Sequence, residues 1–261
     1  MLKRLAISSV ALFTAATSAY GADLVLVVGG TGATGWETVK EAMTQGYEVR
    51  ATTTNAKRAK ERFGEEGFTW VEMDARVMDE IRAAMTGVDY VISTLGGSCF
   101  DPAGPSSPRH VDYEGVVNMA GVARTLGVKH FVLTSSIGAG LAEQPLNQFC
   151  DNVVMWKWLG EDYLRDGDLP YTIIRPGGLG EDEGGKIGIA MAGSRDLDTG
   201  FIQRADVAKV LVAALGNPDA MKKTIEIAGD PKGKPDAWRD DFKNIAADAA
   251  QRPPLMPGQG E

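Results

Sequence analysis

The spacing Gly29-x-x-Gly32-x-x-Gly35, placed directly after the apolar run Leu24–Val28, constrains this chain more than any other feature. A continuous apolar run, rather than an alternating one, reads as a strand buried on both faces. The segment after the glycines reads as a helix from about Thr34 to Thr44, ending near Gly46. In such a strand–turn–helix unit the first glycine permits the tight turn, and the second lets the backbone approach a ligand closely. The third lets the helix pack on the strand, and the unpaired amides of the helix start face an anion. Gly29, Thr31, Gly32, Ala33, Thr34 and Gly35 are therefore the candidate cradle for the pyrophosphate of a dinucleotide. A bare glycine triplet is a weak signal; the strand before it and the helix after it supply the context that gives it meaning.

Beyond this unit, strand-like and helix-like segments alternate. Strands are expected at Glu48–Thr53, Thr69–Glu72, Asp89–Ser93, His130–Thr134, Tyr171–Arg175 and Thr224–Ala228. Helices are expected after Asn55, which can cap the first of them, and over about Val77–Met85, Val111–Leu126, Asn152–Arg165 and Arg204–Leu215. That order predicts an α/β fold with a doubly wound parallel sheet, a Rossmann fold, in a single domain over residues 23–229. Residues 230–261 read as a polar helix followed by a disordered Pro-rich tail. The 44% hydrophobic content suffices for one sizeable core, and a net charge of −8 argues against a nucleic-acid partner.

The end of the second strand bears on cofactor choice. An acidic residue there would bind the adenosine ribose hydroxyls and favour NAD. The segment instead reads Arg50-Ala51-Thr52-Thr53-Thr54-Asn55-Ala56-Lys57-Arg58. This neutral-to-basic stretch, with Thr54, Lys57 and Arg58 as candidates, tilts the expectation to the 2′-phosphate of NADP, with NAD as the alternative.

Further segments carry a resemblance: Val28–Gly35, Asp74, Val111-Asp112-Tyr113, Thr134–Ala139, Trp156-Lys157, Tyr171–Leu179 and Arg204–Ala208. Together they resemble the atypical branch of the short-chain dehydrogenase/reductase superfamily, the NAD(P)H-binding and NmrA-like proteins. The resemblance implies that Asp74 lies by the adenine and that Thr94, Leu95 and Gly96 flank the cofactor's ribose. It places Ser135 and Ser136 near the nicotinamide, Pro176 and Gly177 near its carboxamide, and Lys157 on the nicotinamide ribose. Ser135, Ser136 and Lys157 are thus the catalytic candidates. The superfamily's usual proton donor is a Tyr four residues before this Lys, on the same helical face. Here that position is Val153, which has no proton to give.

Hydride transfer does not require a protein acid when the cofactor carries the chemistry. The resemblance accordingly implies an NAD(P)H-dependent oxidoreductase acting on a small carbonyl, quinone-like or flavin-like acceptor. A non-catalytic NAD(P)-binding redox sensor or assembly factor is the alternative, and an epimerase is a weaker one.

Residues 1–21 have a short basic start, an apolar middle and small residues before Asp23, the pattern of a secretory signal peptide. If it acts as one, the chain is exported, for example to a periplasm; otherwise it is cytoplasmic. No integral membrane segment is expected in the mature chain. The two histidines and two cysteines show no metal-ligand spacing, so no metal is expected. Because the fourth and fifth strands should be neighbours, the loops carrying Cys99 and Cys150 are expected to approach within bridging distance in an oxidising compartment.

Overall fold

A computed structural model describes residues 22–197 and 200–249. The expected signal peptide and the Pro-rich tail lie outside the described residues. The described residues hold ten strands and seven α-helices. The strands are β1 (Leu24–Val28), β2 (Glu48–Thr53), β3 (Thr69–Glu72), β4 (Tyr90–Ser93), β5 (His130–Thr134), β6 (Tyr171–Pro176), β7 (Gly178–Gly180), β8 (Gly188–Gly193), β9 (Phe201–Gln203) and β10 (Lys223–Asp230). The helices are α1 (Ala33–Thr44), α2 (Ala56–Phe63), α3 (Met78–Met85), α4 (Gly115–Leu126), α5 (Leu146–Phe149), α6 (Val153–Asp166) and α7 (Arg204–Ala214).

Eight strands form one sheet in the order β3-β2-β1-β4-β5-β6-β10-β8, and all pairs are parallel except β10 with β8. The order reverses between β1 and β4, and such a reversal opens a crevice above the carboxyl ends of the strands. Val25 and Val27 face one apolar layer with α1 and α7, while Leu26 and Val28 face the other with α3 and α4. A strand buried on both sides has no polar face, which is why Leu24–Val28 reads as an unbroken apolar run.

The structure departs from the sequence expectation in three places. The segment after β6 holds three short strands: β7 and β9 pair with each other, and β8 adds the antiparallel edge. Its sequence is rich in Gly, Asp and Glu and lacks the β-branched runs that announce a strand. The helix expected from Val111 is preceded by a π-helical turn, Arg109–Glu114, that leads into α4. The polar segment after β10 forms a 3-10 turn, Ala237–Asn244, whose Trp238 and Phe242 are buried in the core beside β10 and α7. Among the described residues no helix is long and apolar enough to cross a membrane.

Candidate functional site

The glycine turn is built by close backbone contacts. Gly29 adopts φ +81°, its amide donates to Thr52 Oγ1 at 3.1 Å, and the Gly30 amide donates to the Thr52 carbonyl at 3.0 Å. A methyl group on Gly35 would collide with the Gly29 carbonyl oxygen and stand 2.8 Å from Thr94 Oγ1. Only a glycine lets α1 start this close to β1. Gly32 caps α1 without a side-chain bond, and the first turn holds no acidic residue. Its leading amides and the positive end of the helix dipole are therefore offered to an anion. Thr31, Gly32 and Ala33 line a cleft of about 630 Å³, closed on its far side by Glu181–Gly184 and Arg204. Arg204 reaches across to donate to Thr34 Oγ1 at 3.0 Å. These residues fit a dinucleotide diphosphate: the cradle is one that a Cβ would fill, and while the Gly29, Gly30 and Gly32 amides are used internally, those of Ala33, Thr34 and Gly35 at the start of α1 are left for a ligand.

The residues expected around the adenosine lie at the ends of β2 and β3. Asn55 caps α2 by accepting from the Arg58 amide at 2.9 Å. A recess of about 170 Å³ beside Thr31 is lined by Thr54, Asn55, Arg58 and Arg62. Lys57 does not line it. Sequence reasoning missed Arg62, although its place one helical turn after Arg58 on α2 was a readable signal. Asp74, just past β3, pairs with Arg76; hydrogen bonds from that guanidinium hold its carboxyl below the usual carboxylate range.

The opposite end of the groove is assembled from β4, β5, β6 and α6. The Thr94 hydroxyl donates to the Val28 carbonyl at 2.7 Å, and Leu95 packs over Gly29. Gly96 is open: a Cβ added there would meet nothing within 4 Å. The next amide, of Gly97, donates to Asp112 Oδ2 at 2.8 Å, and Lys157 Nζ donates to Asp112 Oδ1 at 2.6 Å. The Asp112 carboxylate is buried and Lys157 only slightly open. Asp112 is the second functional residue that no role had been read for, since its partners lie 15 and 45 residues away in sequence. It fixes both the lysine and the loop after β4.

The two candidate serines differ. Ser136 is half-buried, with its hydroxyl donating to the Ile137 carbonyl at 3.1 Å, and the Ile137 amide in turn donates to the Pro176 carbonyl at 3.0 Å. Those bonds bring Ser136 and Pro176 together. Gly177 follows at once, with its amide on the Ile227 carbonyl at 3.0 Å. Ser135 is buried, its hydroxyl beside Glu161 without a hydrogen bond of normal geometry. It adjoins an interior ion cluster in which Arg175 bonds Glu161 at 2.6 Å and approaches Glu226 at 3.4 Å. Burial alone would raise the Glu161 carboxyl, but Arg175 and Arg165 beside it outweigh burial and hold it low.

Val153 is buried with Cys150 and Val154. Cys150 is disulfide-bonded to Cys99 with a Cα–Cα separation of 4.3 Å, so the two loops meet as their topology predicted. Tyr113 stacks on Trp156 at 6.1 Å, and Tyr163 lies exposed farther along α6. Among the described residues no group of three or more His, Cys, Asp or Glu is placed to hold a metal.

The match to known proteins follows this geometry. A family model described as NAD(P)H-binding matches residues 29–218. The chain is 32% identical over 241 residues to an uncharacterised chloroplastic protein of Arabidopsis thaliana, covering 85% of this chain and 74% of that one. It is 38% identical over 142 residues to sanguinarine reductase of Eschscholzia californica, covering 53% of this chain and 52% of that one, so it spans about half of that relative. Among solved structures it resembles an anaerobillin reductase from Escherichia coli O157:H7, with a TM-score of 0.65 and 26% identity, over 81% of this chain and 99% of that one. The chain belongs to the NAD(P)H-binding family of atypical short-chain dehydrogenases/reductases.

Proposed function

We propose that the chain is an NAD(P)H-dependent oxidoreductase that reduces a small carbonyl, quinone-like or flavin-like acceptor, with NADPH preferred over NADH. The observation that carries this reading is the placement of both groups at the carboxyl ends of the parallel strands. The uncapped start of α1 offers amides to a diphosphate, and Lys157 with Ser136 stands at the other end of the same groove. The names of two similar proteins, both reductases, support it.

The residues divide the work. The turn from Gly29 to Gly35 cradles the diphosphate, with the Ala33, Thr34 and Gly35 amides donating to it, and Arg58 and Arg62 hold the 2′-phosphate. Asp74 lies by the adenine, and Thr94, Leu95 and Gly96 flank the ribose. Lys157, held by Asp112, bonds the ribose hydroxyls by the nicotinamide, while Pro176 and Gly177 face the carboxamide. When bound, the reduced nicotinamide supplies a hydride. Ser136, the more accessible serine, donates a hydrogen bond to the acceptor, and Ser135 supports it from the interior. With Val153 in place of an acid, the product takes its proton from water.

Stopped-flow mixing of the purified chain and NADPH with menadione, FMN and a set of aldehydes tests the reading. Oxidation at 340 nm above background is expected with at least one acceptor, and Arg58→Ala/Arg62→Ala is expected to weaken NADPH about tenfold while leaving NADH unchanged. The buried Val153 favours one competing reading, a non-catalytic dinucleotide sensor. Tight NADPH binding with no oxidation by any acceptor would select it.

The Cys99–Cys150 bond also favours the export expectation, since disulfides persist in oxidising compartments. Mass spectrometry of the native chain is expected to find a start between residues 20 and 23. A start at Met1 would refute export.

A further inference from the structure

We propose that Arg204 is a side-chain ligand of the cofactor diphosphate, and that the acidic loop Glu181–Glu183 holds its guanidinium in reserve until the diphosphate captures it. This assignment rests on the reading of the glycine turn as a diphosphate cradle and adds the regulation of that site.

The observations meet at the start of α1. Helices α1 and α7 pack side by side, and both starts line the same cleft, α1 with Gly32 and Ala33, α7 with Arg204 and Ala205. Arg204 is the first residue of α7, and its Nη1 donates to Thr34 Oγ1 at 3.0 Å, on a residue whose own amide is left for a ligand. The Nε of the same guanidinium is buried and has no hydrogen-bond partner among the described residues. A buried donor without an acceptor is costly, and a neutral hydroxyl makes weak use of a planar fork that suits phosphate oxygens. Two other cations of the cleft are already held closely: Lys40 by Glu37 at 2.7 Å and Lys209 by Asp206 at 3.0 Å. Arg204 meets a carboxylate only at 3.8 Å, that of Glu181. A phosphate oxygen seated on the α1 amides is the acceptor its position suits.

The loop beside it is placed to compete. Its backbone is pinned to the start of α7 at two points: the Asp182 amide donates to Gln203 Oε1 at 2.9 Å, and the Gly185 amide to Asp206 Oδ1 at 2.7 Å. Between those pins Glu181, Asp182 and Glu183 are consecutive and exposed. Three carboxylates on a fixed backbone at the cleft repel a diphosphate and attract the guanidinium. A phosphate at hydrogen-bond distance outweighs a carboxylate at 3.8 Å, so the bound cofactor takes the guanidinium and Glu181 recovers it on release. The diphosphate is common to NADPH and NADH. Arg204 therefore serves both cofactors alike, whereas Arg58 and Arg62 read only the 2′-phosphate.

Equilibrium fluorescence titration with NADPH and with NADH tests the assignment without turnover. Arg204→Met is expected to weaken both by the same factor, at least about tenfold at low salt. The loss should shrink at high salt, because a charge contact is screened and a packing contact is not. Arg204→Lys keeps the charge and loses the fork, so it should recover part of the affinity. Glu181→Gln/Asp182→Asn/Glu183→Gln should tighten both cofactors about threefold at low salt. These three side chains are exposed, so this variant keeps its fold, which its melting temperature verifies. If Arg204→Met binds both cofactors as the parent does, or loses NADPH alone, the assignment is refuted while the cofactor reading stands. A loss equal at low and high salt would make Arg204 a brace for α1 and would also refute it. Should Arg204→Met fail to fold, the loop variant decides, and unchanged affinity for both cofactors in that variant overturns the competition. If the parent itself binds neither cofactor, the cofactor reading fails first and the assignment goes with it.

Discussion

The two ends of the groove are made of different material. The diphosphate end is backbone: three glycines, the amides of α1 and two bonds to Thr52 fix it, with no side-chain cap. The acceptor end is side chain and cross-link: a buried Lys157–Asp112 pair and a disulfide between two loops. A backbone site tolerates little variation, because each glycine is required by a close approach. A site on loops can change its ligand while the sheet beneath it stays the same. Under the proposed function, this division lets the cofactor end stay fixed while the acceptor end changes.

The comparison is most severely tested at Gly35. Any side chain there meets the Gly29 carbonyl and the Thr94 hydroxyl, both fixed by the sheet. Gly35→Val is expected to abolish measurable NADPH binding and to cost several kcal/mol of stability, at the upper end of the overpacking range of roughly 1–3 kcal/mol or beyond it. Gly96→Ala, where no atom lies near, should change the melting temperature little. If Gly35→Val binds NADPH normally, the diphosphate is held elsewhere.

At the other end, Lys157→Met would leave the Asp112 carboxylate buried with only the Gly97 amide as partner. Breaking one side of a buried pair costs about 3–5 kcal/mol. Denaturant unfolding should show that loss, and Lys157→Met/Asp112→Asn should recover most of it. NADPH affinity should stay reduced in both variants, which separates the binding role of Lys157 from its structural one. Recovery of NADPH binding in the double variant would mean that Lys157 only neutralises Asp112.

The diphosphate end was legible because its signal is local. Strand, glycines and helix fall within Leu24–Thr44, and each residue type answers to a backbone requirement. The Asn55 cap and the disulfide were legible for kindred reasons: one is a local side-chain bond, the other follows from the adjacency of β4 and β5. The role of Asp112 was not, since a lone Asp before a helix gives no hint of a lysine 45 residues away. Nor was the difference between Ser135 and Ser136. Adjacent residues at a strand end point to opposite sides, and only the packing of Glu161 and Arg175 shows which side is interior. The short strands after β6 were hidden because glycine-rich strands are held by their partners rather than by their own propensity.

The amino-terminal end of the strands, opposite the groove, offers a contrast in which no ligand is involved. His130 begins β5 fully buried: its Nδ1 accepts from the Gly216 amide at 3.2 Å, so Nε2 carries the proton toward Thr172 Oγ1 at 2.9 Å. Burial pushes its pKa down to about 4 from 6.5. The folded chain therefore holds a neutral ring where the unfolded chain takes up a proton. Stability is complete above pH 6.5 and falls as pH drops from 6.5 toward 4, by about 3 kcal/mol at most. Urea midpoints at pH 7 and pH 5 should show the decline, and His130→Gln should flatten it between those values. An unchanged slope in His130→Gln would assign the acid sensitivity to other groups.

The smallest effect expected is at Asn55, and it links stability to cofactor choice. Its side chain holds the Arg58 amide and so starts the short helix that carries Arg58 and Arg62. Removing an N-cap costs about 1 kcal/mol. An eight-residue helix depends on that bond more than a long one would. Asn55→Ala should therefore fray α2 without unfolding the sheet, lowering the melting temperature by a few degrees, as about 1 kcal/mol does in a domain of this size. Fraying loosens both arginines, so NADPH should weaken about threefold while NADH, which lacks the 2′-phosphate, holds its affinity. Equal weakening of both cofactors would show that α2 supports the groove as a whole and that its arginines do not read the phosphate.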